Sequence, residues 1–151
     1  MPITDKFFAI NIRKYLALGD DHEAGEPALI QLLSGFSCPK NPDVEHFLKK
    51  NAIEFTKKNQ SVTYLVFSKD NGEMLGYFTL ALKPLTIRGE TVSNTTKRKL
   101  LRVSELDVKS DTYTMSAYLI AQLGKNYADG RNREIAGKEL IELAWMIIEK
   151  T

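Results

Sequence analysis

Leu119-Ile120-Ala121-Gln122-Leu123-Gly124-Lys125-Asn126 opens the stretch that decides the fold, and Leu140-Ile141-Glu142-Leu143-Ala144-Trp145 closes it. From Ala117 to Leu123 the chain is almost continuously apolar over a strand's length, the pattern of a strand buried on both faces. Leu140, Ile141, Ala144, Trp145, Ile147 and Ile148 recur at helical intervals, which predicts an amphipathic helix with a buried stripe. A polar loop joins the two. A helix that starts after a strand presents backbone amides without intrahelical acceptors and the positive end of its dipole, and both favour phosphate. In Ile135-Ala136-Gly137 the small residues let a ligand approach the backbone, and Arg131, Arg133 and Lys138 add positive charge. Physically, the segment suits a diphosphate.

Toward the N-terminus the elements alternate in type. Phe7 to Ile12 reads as a first strand. A polar turn at Gly19–Glu23 precedes a helix that begins at Pro27 and stops at Gly35. Asn41 and Pro42 mark the start of another helix, with Asp43 and Glu45 near its positive end and Val44, Phe47, Leu48, Ala52 and Phe55 along one apolar face. Val62–Phe67 is β-branched and aromatic, Asp70-Asn71-Gly72 is a tight-turn signal, and Met74–Leu82 is a second strand, so the three make a hairpin that Pro84 is expected to end. Residues 85–98 are polar and carry no clear period, and Lys99–Leu106 reads as an extended segment. The predicted class is α/β or α+β, a mixed sheet flanked by helices.

Composition narrows the function. The 151 residues fit one domain with one core, and 43% are apolar. A net charge of +2 is too small for a general nucleic-acid binder. The single cysteine, Cys38, excludes an internal disulfide. Residues 1–5 lack a signal-peptide pattern and no apolar run is long enough to cross a bilayer, so a soluble, cytoplasmic protein is expected.

Two kinds of phosphate loop fit a strand–loop–helix unit. A Walker-type loop needs two glycines with four residues between them, then Lys and a hydroxyl residue; here Gly130 and Gly137 have six residues between them and Glu139 follows Lys138. The better match is the pyrophosphate loop of GNAT acetyltransferases, Gln/Arg-x-x-Gly-x-Gly/Ala before a helix, which Asn132-Arg133-Glu134-Ile135-Ala136-Gly137 resembles, with Asn132 for the usual first residue and Ile135 for the first glycine. Leu119–Asn126 resembles that family's central strand. Phe36-Ser37-Cys38 with Asp43–Leu48 and Ala52 resembles the N-terminal helix of its toxin-like branch, and Ser61–Leu65 with Gly76–Leu80 its hairpin.

The resemblance implies an N-acetyltransferase that moves acetyl from acetyl-CoA to an amine, with aminoacyl-tRNA as one acceptor class and no metal. It implies that the strand edge at Leu123, Gly124 and Lys125 meets pantetheine, and that amides from Arg133 to Lys138, after Asn132, hold the pyrophosphate. An amide near Leu123 would also polarise the thioester carbonyl. The family continues past this helix into further strands that carry a tyrosine acid; here the sequence stops at Thr151, no tyrosine takes the matching place, and the catalytic residues stay unassigned. A GNAT sheet without its final strands would leave an open edge, so a homo-oligomer is expected. The alternative is a non-catalytic module that binds CoA or a partner.

Other residues carry duller readings. Asp20, Asp21, His22 and Glu23 are consecutive and so do not converge on a metal; they read as a solvated turn. His46 reads as a boundary residue, Cys38 as a small, partly buried one, Lys97-Arg98-Lys99 with Arg102 as a solvated basic loop, and Trp145 as part of the core stripe.

Overall fold

A computed structural model describes residues 2–150. The elements in chain order are α1 (Ile3–Lys6), β1 (Phe7–Asn11), α2 (Arg13–Leu16), α3 (Glu26–Ser34), α4 (Pro42–His46), a π-helical turn (Phe47–Asn51), α5 (Ala52–Lys57), β2 (Val62–Ser68), β3 (Met74–Arg88), a 3-10 turn (Gly89–Thr91), α6 (Asn94–Leu100), β4 (Glu105–Asp107), β5 (Thr112–Lys125), a 3-10 segment (Ala128–Arg133) and α7 (Gly137–Lys150). This is the α+β class read from the sequence, an antiparallel sheet flanked by helices. Among the described residues no helix is long and apolar enough to cross a membrane.

The chain forms two compact units: the residues up to Ala81 with those from Ile120 onward, and Leu82–Leu119. In the first, β1 pairs with β2 and β2 with β3, both antiparallel (Ala9↔Val66, Leu65↔Tyr77). Each face of this sheet carries a core. Ile12, Leu29, Leu33, Phe36, Val44, Leu48, Leu65 and Tyr77 pack on one side, beneath α3, α4 and α5. Val66, Leu75, Phe78, Leu80, Ile135, Leu140, Leu143 and Ala144 pack on the other, beneath α7. Alternate residues of β2 and β3 thus enter opposite cores, which explains why both strands are apolar at nearly every position.

The capped helix starts where the sequence places it. The Asn41 side chain accepts the Val44 amide and Pro42 occupies the first turn. Its apolar face holds at Val44, Leu48 and Ala52, whereas Phe55 is 37% exposed and meets Phe47 edge-on. In the polar turn, Asp21 Oδ1 accepts the Glu23 amide.

The second unit corrects two sequence readings. Pro84 does not end β3, which runs on to Arg88. β2 reaches β3 only as far as Leu80, so a residue without an N–H costs no ladder bond on that side. Lys99–Leu106 is not extended: α6 covers Asn94–Leu100, and only Glu105–Asp107 pairs with β5. The signal for α6 is Ser93, whose Oγ accepts the Thr96 amide at 3.1 Å. Just past the end of β3 and just before β5, the Gly89 amide donates to the Asp111 carbonyl at 2.7 Å.

Two burial readings also change. Tyr118 and Leu119 are each 46% exposed and Ala121 is exposed, so the run Ala117–Leu123 is a strand but is not buried on both faces; β2 and β3 as far as Ala81 are. The physical reason is what covers it: of this run only Ile120 and Leu123 pack against a core, the one beneath α7, while Tyr118, Leu119 and Ala121 belong to neither core. Trp145 is 57% and Ile141 51% exposed, because α7 turns Leu140, Leu143 and Ala144 to the sheet and the adjacent row to solvent.

Candidate functional site

The site is built at the end of β5. Gly124 is buried, and its smallness is required from two sides. A Cβ on Gly76 of β3 would lie 2.6 Å from the Gly124 carbonyl oxygen, and a Cβ on Gly124 would collide with Val44 Cγ1 from α4. Leu123 and Lys125, on either side, are half-buried. β4 pairs with β5 only at Thr112–Thr114, so the outer edge of Ile120–Lys125 has no strand partner among the described residues.

Asn126 ends the strand. It is 1% exposed, and its amide donates to the Leu75 carbonyl at 2.8 Å. Its Nδ2 donates to the Met74 carbonyl at 2.9 Å, and its Oδ1 accepts the amides of Ser37 and Ala128, both at 3.1 Å. The Tyr127 amide donates to the Ser37 carbonyl at 2.7 Å, and Lys40 lies over the Tyr127 ring. The loop then reverses through Asp129 (φ 53°) and Gly130 (φ 76°), left-handed positions that Asp and Gly adopt most easily.

The rest of the loop is fastened to the turn between β2 and β3. Arg131 Nε lies 3.2 Å from a Glu73 carboxylate oxygen, an ion pair whose angle misses that of a hydrogen bond. Asn71 Nδ2 donates to Glu134 at 3.2 Å. Asn132 is half-buried, while Arg133 and Lys138 are exposed. Ile135 is 3% exposed in the second core, so it presents backbone rather than side chain.

At the front of α7 the amides divide. The Glu134 amide donates to the Arg131 carbonyl, and the Ala136 amide donates to Glu139 Oε1 at 2.9 Å. Among the described residues, the amides of Ile135, Gly137 and Lys138 have no acceptor. A Cβ at Gly137 would meet nothing within 4 Å, so this end of the helix is open. The helix also starts beside the strand end: Leu140 lies against Gly76, whose other neighbour is the Gly124 carbonyl. Unpaired amides at a helix front next to an unpaired strand edge can hold an anionic group and a chain of amides together.

Sequence reading missed two residues here. Asn126 carried a signal, a polar residue closing an apolar run. Glu139, noted only as the wrong residue for a Walker loop, stands three positions after Ala136, the spacing of a carboxylate that reaches back to a helix start.

Along α4 and the π-helical turn lies an open cavity of about 570 Å³ lined by Cys38, Pro39, Pro42, Asp43, Glu45, His46, Lys49 and Lys50. Glu45 accepts the Cys38 amide at 2.7 Å and the Lys49 ammonium at 3.2 Å, and these bonds, the first foremost, hold its carboxyl below the usual range. Cys38 is 4% exposed and His46 is exposed. The Tyr77 hydroxyl donates to the Val44 carbonyl at 2.6 Å, and burial pushes its pKa up.

Two solved structures share this architecture. A mutant of KacT aligns with a TM-score of 0.59 and 17% identity, over 95% of this chain and 69% of KacT. AtaT, complexed with acetyl-methionyl-tRNAfMet, aligns with a TM-score of 0.56 and 13% identity, over 94% of this chain and 68% of AtaT. No protein-family model and no curated protein matches the sequence. At these identities the likeness establishes the fold, the GNAT fold that the sequence resembles.

Proposed function

We propose that the chain is an N-acetyltransferase that takes acetyl-CoA as its acyl donor and an amine as its acceptor. One observation carries this reading: the unpaired amides of Ile135, Gly137 and Lys138 stand beside the unpaired edge of β5 at Leu123–Lys125. Acetyl-CoA has a pyrophosphate and an amide-rich arm joined in one molecule, and these two features match it in kind. Asn132, Arg133, Glu134 and Ala136 complete the loop around the phosphates, with Arg133 and Lys138 free to add charge. An outward amide near Leu123 would take the thioester oxygen as charge develops there, and the acceptor amine would attack the carbonyl directly.

AtaT was solved with acetyl-methionyl-tRNAfMet, which makes the amine of an aminoacyl-tRNA the first acceptor to try. A cytoplasmic setting and self-association belong to the same reading. A non-catalytic CoA-binding or partner-binding module is the competing one, and the Glu139 carboxylate at the Ala136 amide favours it, since an anion there opposes phosphate.

Calorimetry with acetyl-CoA, then thiol release with aminoacyl-tRNA and small amines, separates the two. Binding with release is expected. Binding without release under every acceptor selects the module, and no binding removes both.

A further inference from the structure

We infer that Asn126 is the positioning residue that sets the spacing between the two halves of the proposed CoA site; this rests on the reading above. The two halves lie on either side of Asn126 in the chain, the strand edge at Leu123–Lys125 before it and the amides of Ile135, Gly137 and Lys138 after it. A ligand that spans both gains from joining them only if their separation is fixed in advance.

Asn126 is placed to fix it. A fully buried Asn amide can make few bonds without strict geometry, and here every bond goes to a different structural piece. The Nδ2 bond to the Met74 carbonyl, with the main-chain bond to Leu75, holds it to the start of β3. The Oδ1 bonds hold the Ser37 segment, 89 residues away in sequence, and the first amide of the 3-10 segment. Only a side chain with both a donor and an acceptor can do this. Asp keeps the acceptor and loses the donor; Ala loses both. The residue touches no reacting atom, so its role is in positioning.

Binding of the parts tests it against a merely structural role. CoA, ADP (for the phosphate half) and pantetheine (for the strand half) are titrated into wild type, Asn126→Asp and Asn126→Ala, with folding checked by circular dichroism. Folded variants are expected to bind ADP and pantetheine as wild type does, yet to bind CoA at least about tenfold more weakly, because only the joined ligand depends on the spacing. CoA affinity within twofold of wild type overturns the inference, as does a parallel loss for all three ligands. Wild type that fails to bind CoA overturns the function itself, a result the variants cannot mimic. Should neither variant fold, amide hydrogen exchange on wild type decides: Ser37 and Ala128 slowing on CoA addition together with Gly137 and Lys138 supports the inference, and unchanged Ser37 and Ala128 overturn it.

Discussion

Val44, on the capped helix α4, sits directly over Gly124 on β5, with its Cγ1 in the space a Cβ there would need. The same Gly124 presents its carbonyl to Gly76 on the neighbouring strand. Helix α4 and strands β5 and β3 thus meet through two residues without side chains. Gly124→Ala is expected to destabilise the protein by about 1–3 kcal/mol through overpacking. Val44→Ala in that background should recover part of the loss, since the two residues are in contact and their effects will not add. Urea unfolding of the two single variants and the double variant measures the coupling; strict additivity would show that Val44 is not what Gly124 must avoid.

Glu139 holds the Ala136 amide at the front of α7. A carboxylate that reaches back to a helix start stabilises the helix by satisfying an orphan donor, yet it brings negative charge to the place proposed for pyrophosphate. Glu139→Gln keeps an acceptor there and removes the charge. Stability is expected to fall by less than about 1 kcal/mol, while the affinity for CoA rises several-fold, more at low salt than at high. Unchanged CoA affinity across a salt series would place the phosphates elsewhere.

The Tyr77 hydroxyl is fully buried and bonded to the Val44 carbonyl, and burial raises its pKa above the ordinary 10.0. The sign follows from proton binding. In the unfolded chain the phenol ionises near its ordinary value, while in the folded protein it keeps its proton to higher pH. The stability this gives is complete below pH 10.0 and is lost as pH rises from there toward the folded pKa. Half-buried Tyr15 is pushed the same way by burial. Tyr77→Phe is expected to cost about 0.5–1.5 kcal/mol at neutral pH through the lost hydrogen bond, and to flatten the alkaline limb of a stability-versus-pH curve. An alkaline limb as steep as that of wild type would mean that another group sets it.

The parts of the fold legible in the sequence were those fixed by local chemistry. Asn41-Pro42 dictates a helix start wherever it lies, and Asp70-Asn71-Gly72 a turn, so α4 and the β2–β3 hairpin fall where the residues put them. Burial was not local in that way. The apolar runs of β2, β3 and β5 look alike, but only neighbours decide that β2 and β3 as far as Ala81 are covered on both faces and that the end of β5, Ile120–Lys125, has an open outer edge. Pro84 failed as a stop for the same reason, because its cost depends on whether a strand lies alongside. The GNAT resemblance proposes the loop from Asn132 to Gly137 as the phosphate site; that Ile135 anchors this loop in the core, and that Arg131 and Glu134 reach the hairpin turn, depends on contacts some 60 residues away in sequence.

Trp145 offers a direct check on the difference between stripe and core. A helical stripe of Leu140, Ile141, Ala144, Trp145 and Ile148 spans a wider arc than one sheet face covers, and the structure leaves Trp145 57% exposed. Removal of a buried Trp costs about 3–5 kcal/mol, whereas a surface substitution stays within about 0.5 kcal/mol. Trp145→Ala is expected at the small end. As the only tryptophan, it also reports optically: its emission should lie at long wavelength and be quenched readily by iodide. Short-wavelength emission that reddens on dilution would instead show a second copy covering this face, and Trp145→Ala would then lower stability in a concentration-dependent way.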